Sequence, residues 1–131
     1  MKDFVELYLG WNELADLLAE GMVIGGHTVT HPLLSTLTLS EQATGINGCM
    51  DLLSEKLSLE TEIFAFHYGD YDSATLDVLR HRGCSLAFAN NGHVVCDRDR
   101  PLEVDRLDTN YVPVLPQAAP NEWSRKVGIR A

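Results

Sequence analysis

Residues 23–34 read VIGGHTVTHPLL. "MVIGG" begins as a short buried strand that runs straight into His27. His27 and His31 stand four apart, with Pro32 behind them and Gly25 and Gly26 ahead, where the backbone is expected to turn. Two imidazoles at that spacing can face the same way on one turn of helix and bind one divalent ion. A hydrogen-bonded structural pair explains the residues equally well. Position adds weight to the first reading, because parallel α/β folds place their sites just past the carboxyl ends of strands. Thr28 and Thr30 are suited to hydrogen-bond this loop and set the ring orientations.

Working outward, WNELADLLAEG predicts a short amphipathic helix with Leu14, Leu17 and Leu18 on one face and Gly21 at its end. Thr38 and Glu41 have capping-box spacing, so a helix is expected over about 39–57. Gly45 and Gly48 inside it each cost up to about 1 kcal/mol against Ala. EIFAFHYG predicts the next strand. A helix then starts at Asp72 or Ser73 and ends at Gly83. CSLAFAN is a third strand and PLEVDRLD a fourth. Helices alternating with strands indicate an α/β chain with parallel strands. Pro113, Pro116 and Pro120 break up the C-terminal stretch, so residues 1–112 are expected to form the domain and 113–131 a mostly irregular tail.

Size and charge narrow the functions. The 131 residues fit one core, and 10 basic against 19 acidic residues give a net charge of −9. That balance argues against nucleic-acid binding, which needs basic patches to neutralise phosphates. No apolar run approaches a membrane span. The N-terminus carries acids within its apolar run and lacks a small-residue cleavage pattern, so by absence of a signal the chain is expected in the cytoplasm. Cys49, Cys84 and Cys96 are odd in number and lack C-x-x-C spacing, which fits reduced, buried thiols.

GGHTVTHPLLSTLTLSE resembles the second motif of the polysaccharide deacetylases, the NodB-like carbohydrate esterases, whose pattern is H-S/T-x-x-H-P. FAFHYGDYDSATLDVLRHRG resembles the third motif region, where many members read F-A-Y-P-Y-G-D-Y-D. CSLAFANN and PLEVDRLDTN resemble the later strands. The similarity runs over about residues 11–113, in order. The resemblance implies a metal-dependent deacetylase that hydrolyses the C–N amide bond of N-acetylated carbohydrates, on a partial NodB-like distorted β/α barrel with parallel strands. It implies that His27 and His31 hold a divalent metal, zinc first, with cobalt or a similar ion as the alternative. It also implies that Tyr68 lends its backbone N–H to the oxyanion hole and that Arg106 and Asp108 match a late R-x-D element near the site. For the Tyr68 side chain a core aromatic is the competing reading. For Arg106 and Asp108 it is a surface ion pair.

The departures from the family pattern are equally specific. The first motif, T-F-D-D-G or similar, supplies a catalytic base and an acidic metal ligand. Only 26 residues precede His27, and their Asp residues, Asp3 and Asp16, lie in the wrong context. His67 stands where a proline is usual. No late L-x-H element carries the general acid, and His93 fits a loop histidine better than a stand-in. Asp70, Asp72, Asp105 and Asp108 lie at strand ends and are candidates for the missing acid, with Asp70 and Asp72 better explained as turn and cap residues. An incomplete parallel barrel leaves an open edge and an apolar face. The chain is therefore expected to form a homo-oligomer or to pair with a missing N-terminal segment, with an acetylated carbohydrate as substrate. The alternative function is a non-catalytic carbohydrate-binding or self-associating remnant of a deacetylase.

Overall fold

The computed structural model describes residues 8–90, 98–109, 119, 122 and 125. Over residues 11–104, helices alternate with strand segments, as the sequence pattern requires. Helix α1 (Trp11–Ala19) leaves Leu14, Leu17 and Leu18 half-buried and its other residues exposed. It ends through Glu20 into Gly21, whose φ of 87° is a left-handed value that costs glycine little. Helix α2 (Leu39–Leu57) begins in the predicted capping box. Glu41 N donates to Thr38 Oγ1, and the Glu41 carboxylate accepts from Thr38 N at 2.9 Å. Its buried stripe is Gln42, Ile46, Met50 and Leu53, which recur at helical spacing. Gly45 and Gly48 do not interrupt it. A Cβ at Gly48 would lie 3.4 Å from Val29 Cγ2, an ordinary contact, so packing does not demand either glycine.

Strand β1 (Ile63–Ala65) pairs parallel with β2 (Leu86–Phe88), with Phe64 opposite Ala87. Helix α3 (Ser73–Arg82) connects them, as a parallel pair demands. Asp72 caps its start by accepting from Thr75 N at 2.9 Å, and Gly83 ends it at φ 86°. Parallel bridges extend the sheet on both sides, Gly26 to Phe64 and Phe88 to Val104. The lateral order is thus residue 26, β1, β2, residue 104.

Three expectations need correction. MVIGG is not a buried strand. Only Gly26 bridges, and Met22 and Val23 are exposed, because no described residue covers this edge. No turn falls at Gly25 and Gly26, and neither has a positive φ. They permit close approach: a Cβ at Gly25 would sit 2.9 Å from Ile63 O, and one at Gly26 3.1 Å from Met50 Cε and Phe64 Cδ2. PLEVDRLD does not form a strand of any length. Pro101 opens a 3-10 turn, Pro101–Glu103, and Val104 alone reaches the sheet.

The core lies between the sheet and helices α2 and α3. Phe64, Phe66, Leu34, Ile46 and Leu79 are fully buried there. Phe66 stacks on Tyr71 with ring centroids 4.4 Å apart. A polar seam joins the two helix starts: Thr75 Oγ1 donates to buried Gln42 Oε1 at 2.7 Å and Gln42 Nε2 donates to Leu37 O at 3.2 Å. Cys84 is buried and Cys49 half-buried, both as free thiols, and Cys96 lies outside the described residues. The expected break at 112/113 lies outside them as well. Among the described residues no helix is long and apolar enough to cross a membrane.

Candidate functional site

The site is built at the carboxyl ends of two neighbouring parallel segments. The bridge at Gly26 sets the register: Gly26 N donates to Ile63 O at 2.8 Å and Ala65 N to Gly26 O at 2.9 Å. His27 therefore emerges beside Ala65, and His67 emerges just beyond it. The His27 Nδ1 lies 2.6 Å from Ala65 O. A carbonyl only accepts, so Nδ1 carries the proton and the Nε2 lone pair is left outward for another partner.

His31 reaches the same place without a helix. The segment after His27 is a loop with two non-glycine left-handed residues, Thr28 at φ 62° and His31 at φ 57°. A β-branched residue in that region is a genuine outlier, and such strain collects at functional sites. Thr28 Oγ1 accepts from His31 N at 3.2 Å and lies 3.4 Å from His67 Nε2. Thr28 thus holds the loop as expected. Thr30 is exposed.

Three imidazoles converge here. Ring centroids are 5.0 Å apart for His27 and His31, 3.8 Å for His27 and His67, and 3.6 Å for His31 and His67. One nitrogen donor from each lies within 4.8 Å of the others. Donors on one tetrahedral ion are roughly 3.4 Å apart, given bonds of about 2.0–2.1 Å, so small side-chain rotations suffice to close the set. His67 is 1 % exposed, and among the described residues its Nδ1 has no hydrogen-bond partner. Burial holds the His67 pKa down at about 4, with the charges of His27 and His31 adding to it and Asp70 opposing. Burial also lowers His27, against the Ala65 hydrogen bond, with His31 and Arg106 pushing the same way as burial. Three imidazoles with one nitrogen each within 4.8 Å, one ring carrying a buried nitrogen with no partner among the described residues, are a donor set that fits a divalent cation.

The surrounding residues fix this cluster. Asp70 joins its two loops: Ser35 N donates to Asp70 Oδ2 at 2.8 Å and Ser35 Oγ to Asp70 Oδ1 at 2.6 Å. Asp72 is spent on the α3 cap, as the sequence implies. Among the described residues no carboxylate joins the three histidines. Arg106 straps the strand ends, donating from Nε to Ala89 O at 3.1 Å and from Nη2 to Phe66 O at 3.2 Å. Asp108 is half-buried and outside the histidine cluster, as is Asp105. Tyr68 is 73 % exposed, which rules out a core aromatic. Its backbone is left-handed at φ 52°, and its ring meets His31 edge-on at 5.5 Å. Gly69 follows at φ 75°, pressed so close to Asn90 that a Cβ would lie 2.7 Å from Asn90 N. His93 lies outside the described residues.

The pairing of His27 and His31 is legible in the sequence, although a loop and not a helical turn creates it. His67 is the residue that motif reasoning misses, because it replaces an expected proline. Its signal is positional: like His27, it directly follows a segment that ends at the carboxyl edge of the sheet.

Comparison with known proteins agrees with this layout. The polysaccharide deacetylase family model matches residues 2–87. Among solved structures, the deacetylase PplD of Streptococcus pyogenes is 24 % identical with a TM-score of 0.73, over 91 % of this chain and 50 % of that one. IcaB from Ammonifex degensii is 25 % identical with a TM-score of 0.60, over 92 % and 52 %. The family 4 carbohydrate esterase of Streptomyces lividans is 17 % identical with a TM-score of 0.55, over 62 % and 42 %. No curated protein gives a significant match. The chain spans about half the length of the first of these structures, which makes its sheet a partial α/β barrel with parallel strands. Both the matched sequence and the shared fold lead to one assignment: the chain belongs to the polysaccharide deacetylase family.

Proposed function

We propose that the chain carries the metal-binding half of a deacetylase acting on N-acetylated carbohydrates, with His27 and His31 holding a divalent ion, zinc first. The observation that supports this reading most is the convergence of imidazoles at the mouth of the parallel sheet in a chain of this family. A bound zinc supplies Lewis acidity toward the acetyl carbonyl and lowers the pKa of water. The chain's own residues do the rest of what can be assigned. His27, fixed by Ala65 O, presents one tautomer. Tyr68 offers its backbone N–H to the developing oxyanion from a left-handed turn packed against Asn90. Arg106 holds the strand ends beside the site through Ala89 O and Phe66 O, and Asp108 follows it as the acidic residue of the late R-x-D element.

The absence of a carboxylate from the cluster, among the described residues, favours a second reading: a module that binds the sugar and the ion without turnover. Loss of general-base help alone costs about 10²–10⁴ in rate. Saturating zinc or cobalt with an N-acetylated chito-oligosaccharide separates the two readings. Acetate release that disappears in His27→Ala is the expected result for the enzyme. Oligosaccharide binding with no acetate release would favour the module. We also assign the open edge at Gly26, with Met22 and Val23 exposed beside it, to pairing with a second copy or a preceding segment. A compact monomer in gel filtration and scattering would contradict self-pairing.

A further inference from the structure

We propose that His67 is a third protein ligand of the ion held by His27 and His31. The inference rests on the metal-binding reading above and deepens it. Three observations on this residue point the same way. Its ring, 1 % exposed, lies against the rings of both His27 and His31. Among the described residues its buried Nδ1 has no hydrogen-bond partner, an arrangement that costs about 1–3 kcal/mol unless something fills it. One of its ring nitrogens lies within 4.8 Å of the donors of both other histidines.

A structural role accounts for these facts less well. A core histidine normally satisfies both nitrogens through donors and acceptors around it. Among the described residues the one hydrogen-bonding neighbour of this ring is Thr28 Oγ1, at a long 3.4 Å from Nε2. The Asp70 carboxylate accepts from Ser35 and, among the described residues, makes no hydrogen bond to this ring. One nitrogen from each of three imidazoles is a donor set that a divalent cation can share.

The donor chemistry has a consequence for selectivity. Imidazole suits zinc, copper and nickel, whereas carboxylate and water suit magnesium, calcium and manganese. The site should therefore discriminate strongly against magnesium.

The test uses the full chain and cobalt(II), read by its visible absorption, with zinc as competitor. Wild type is expected to take up one cobalt that zinc displaces and millimolar magnesium does not. His67→Ala should weaken cobalt by at least about 100-fold, beyond the 10–100-fold typical of groups that only support a ligand. His67→Cys should restore binding and add a sulfur-to-cobalt charge-transfer band, which a merely structural histidine would not produce. X-ray absorption of the wild-type zinc form should count three imidazoles, and this readout stands even if His67→Ala fails to fold. Two imidazoles, or cobalt binding in both variants equal to wild type with no charge-transfer band, overturns the assignment of His67 while leaving His27 and His31 as ligands. Failure of wild type to take up any cobalt or zinc overturns the underlying metal reading as well.

Discussion

Asp70→Ala should loosen the site without touching any histidine. The Asp70 carboxylate accepts two hydrogen bonds from Ser35, at 2.8 and 2.6 Å, and these join the His31 loop to the turn that carries His67. Hydrogen bonds to a charged group contribute roughly 1.5–3 kcal/mol when sheltered. Both partners here are accessible to water, so the pair together should contribute about 1–2 kcal/mol to docking one loop on the other. If only the docked arrangement binds metal, apparent affinity falls at most by the loss in its population, about 5–30-fold. Asp70→Asn keeps an acceptor for Ser35 and should lose roughly half of that free energy. Zinc affinity by competition against a chromophoric chelator, with urea midpoints for overall stability, measures both quantities. Unchanged affinity in both variants would refute the coupling of the loops through Asp70. A collapse beyond about 100-fold would refute it differently, by making Asp70 a ligand itself.

The same geometry sets a pH dependence and a packing cost. In the metal-free chain His67 sits at about 4 when folded against an ordinary 6.5, so the unfolded state binds the extra proton between those values. Stability is present in full above pH 6.5 and falls as pH drops toward 4. The upper limit is roughly 3 kcal/mol, and screening by water over exposed His31 should reduce it to about 1–2 kcal/mol. Urea midpoints of chelator-treated protein across this window should show the fall, and His67→Gln should flatten it to the share left by His27, whose pKa burial also lowers; an equal slope in that variant would contradict the cause. Gly69→Ala combines a left-handed backbone at φ 75° with a Cβ 2.7 Å from Asn90 N. It should cost roughly 2–4 kcal/mol, seen as a lowered midpoint of thermal unfolding, and wild-type stability would mean that the turn does not pack as described.

Much of the scaffold is readable from local chemistry. The capping box at Thr38 and Glu41, the Asp72 cap and Gly83 each act within a few residues, so helices α2 and α3 start and stop where the sequence says. Elements that depend on partners are less legible. Met22 and Val23 look like strand residues because they are apolar, yet pairing needs a neighbour that the described residues do not supply. Val104 reaches the sheet alone because Pro101 turns the chain first. At the site, H-x3-H identifies two histidines by spacing, but the left-handed Thr28 and His31 that bring them together leave no mark in residue type. His67 is forty residues from His27 in sequence, and only the parallel register of Gly26 on Phe64 brings it there. Asp70 looks like a turn residue, and its link to Ser35 is a tertiary fact.

The central claim is that imidazole nitrogens from His27 and His31 share one cation at the mouth of the sheet. Anomalous scattering at the zinc edge from crystals of the zinc-loaded chain tests it most directly. The account predicts one strong peak about 2.0–2.1 Å from a nitrogen of each ring, with His27 Nδ1 still on Ala65 O. A peak elsewhere on the surface, or rings that keep hydrogen-bonding only to protein with no ion between them, would contradict it.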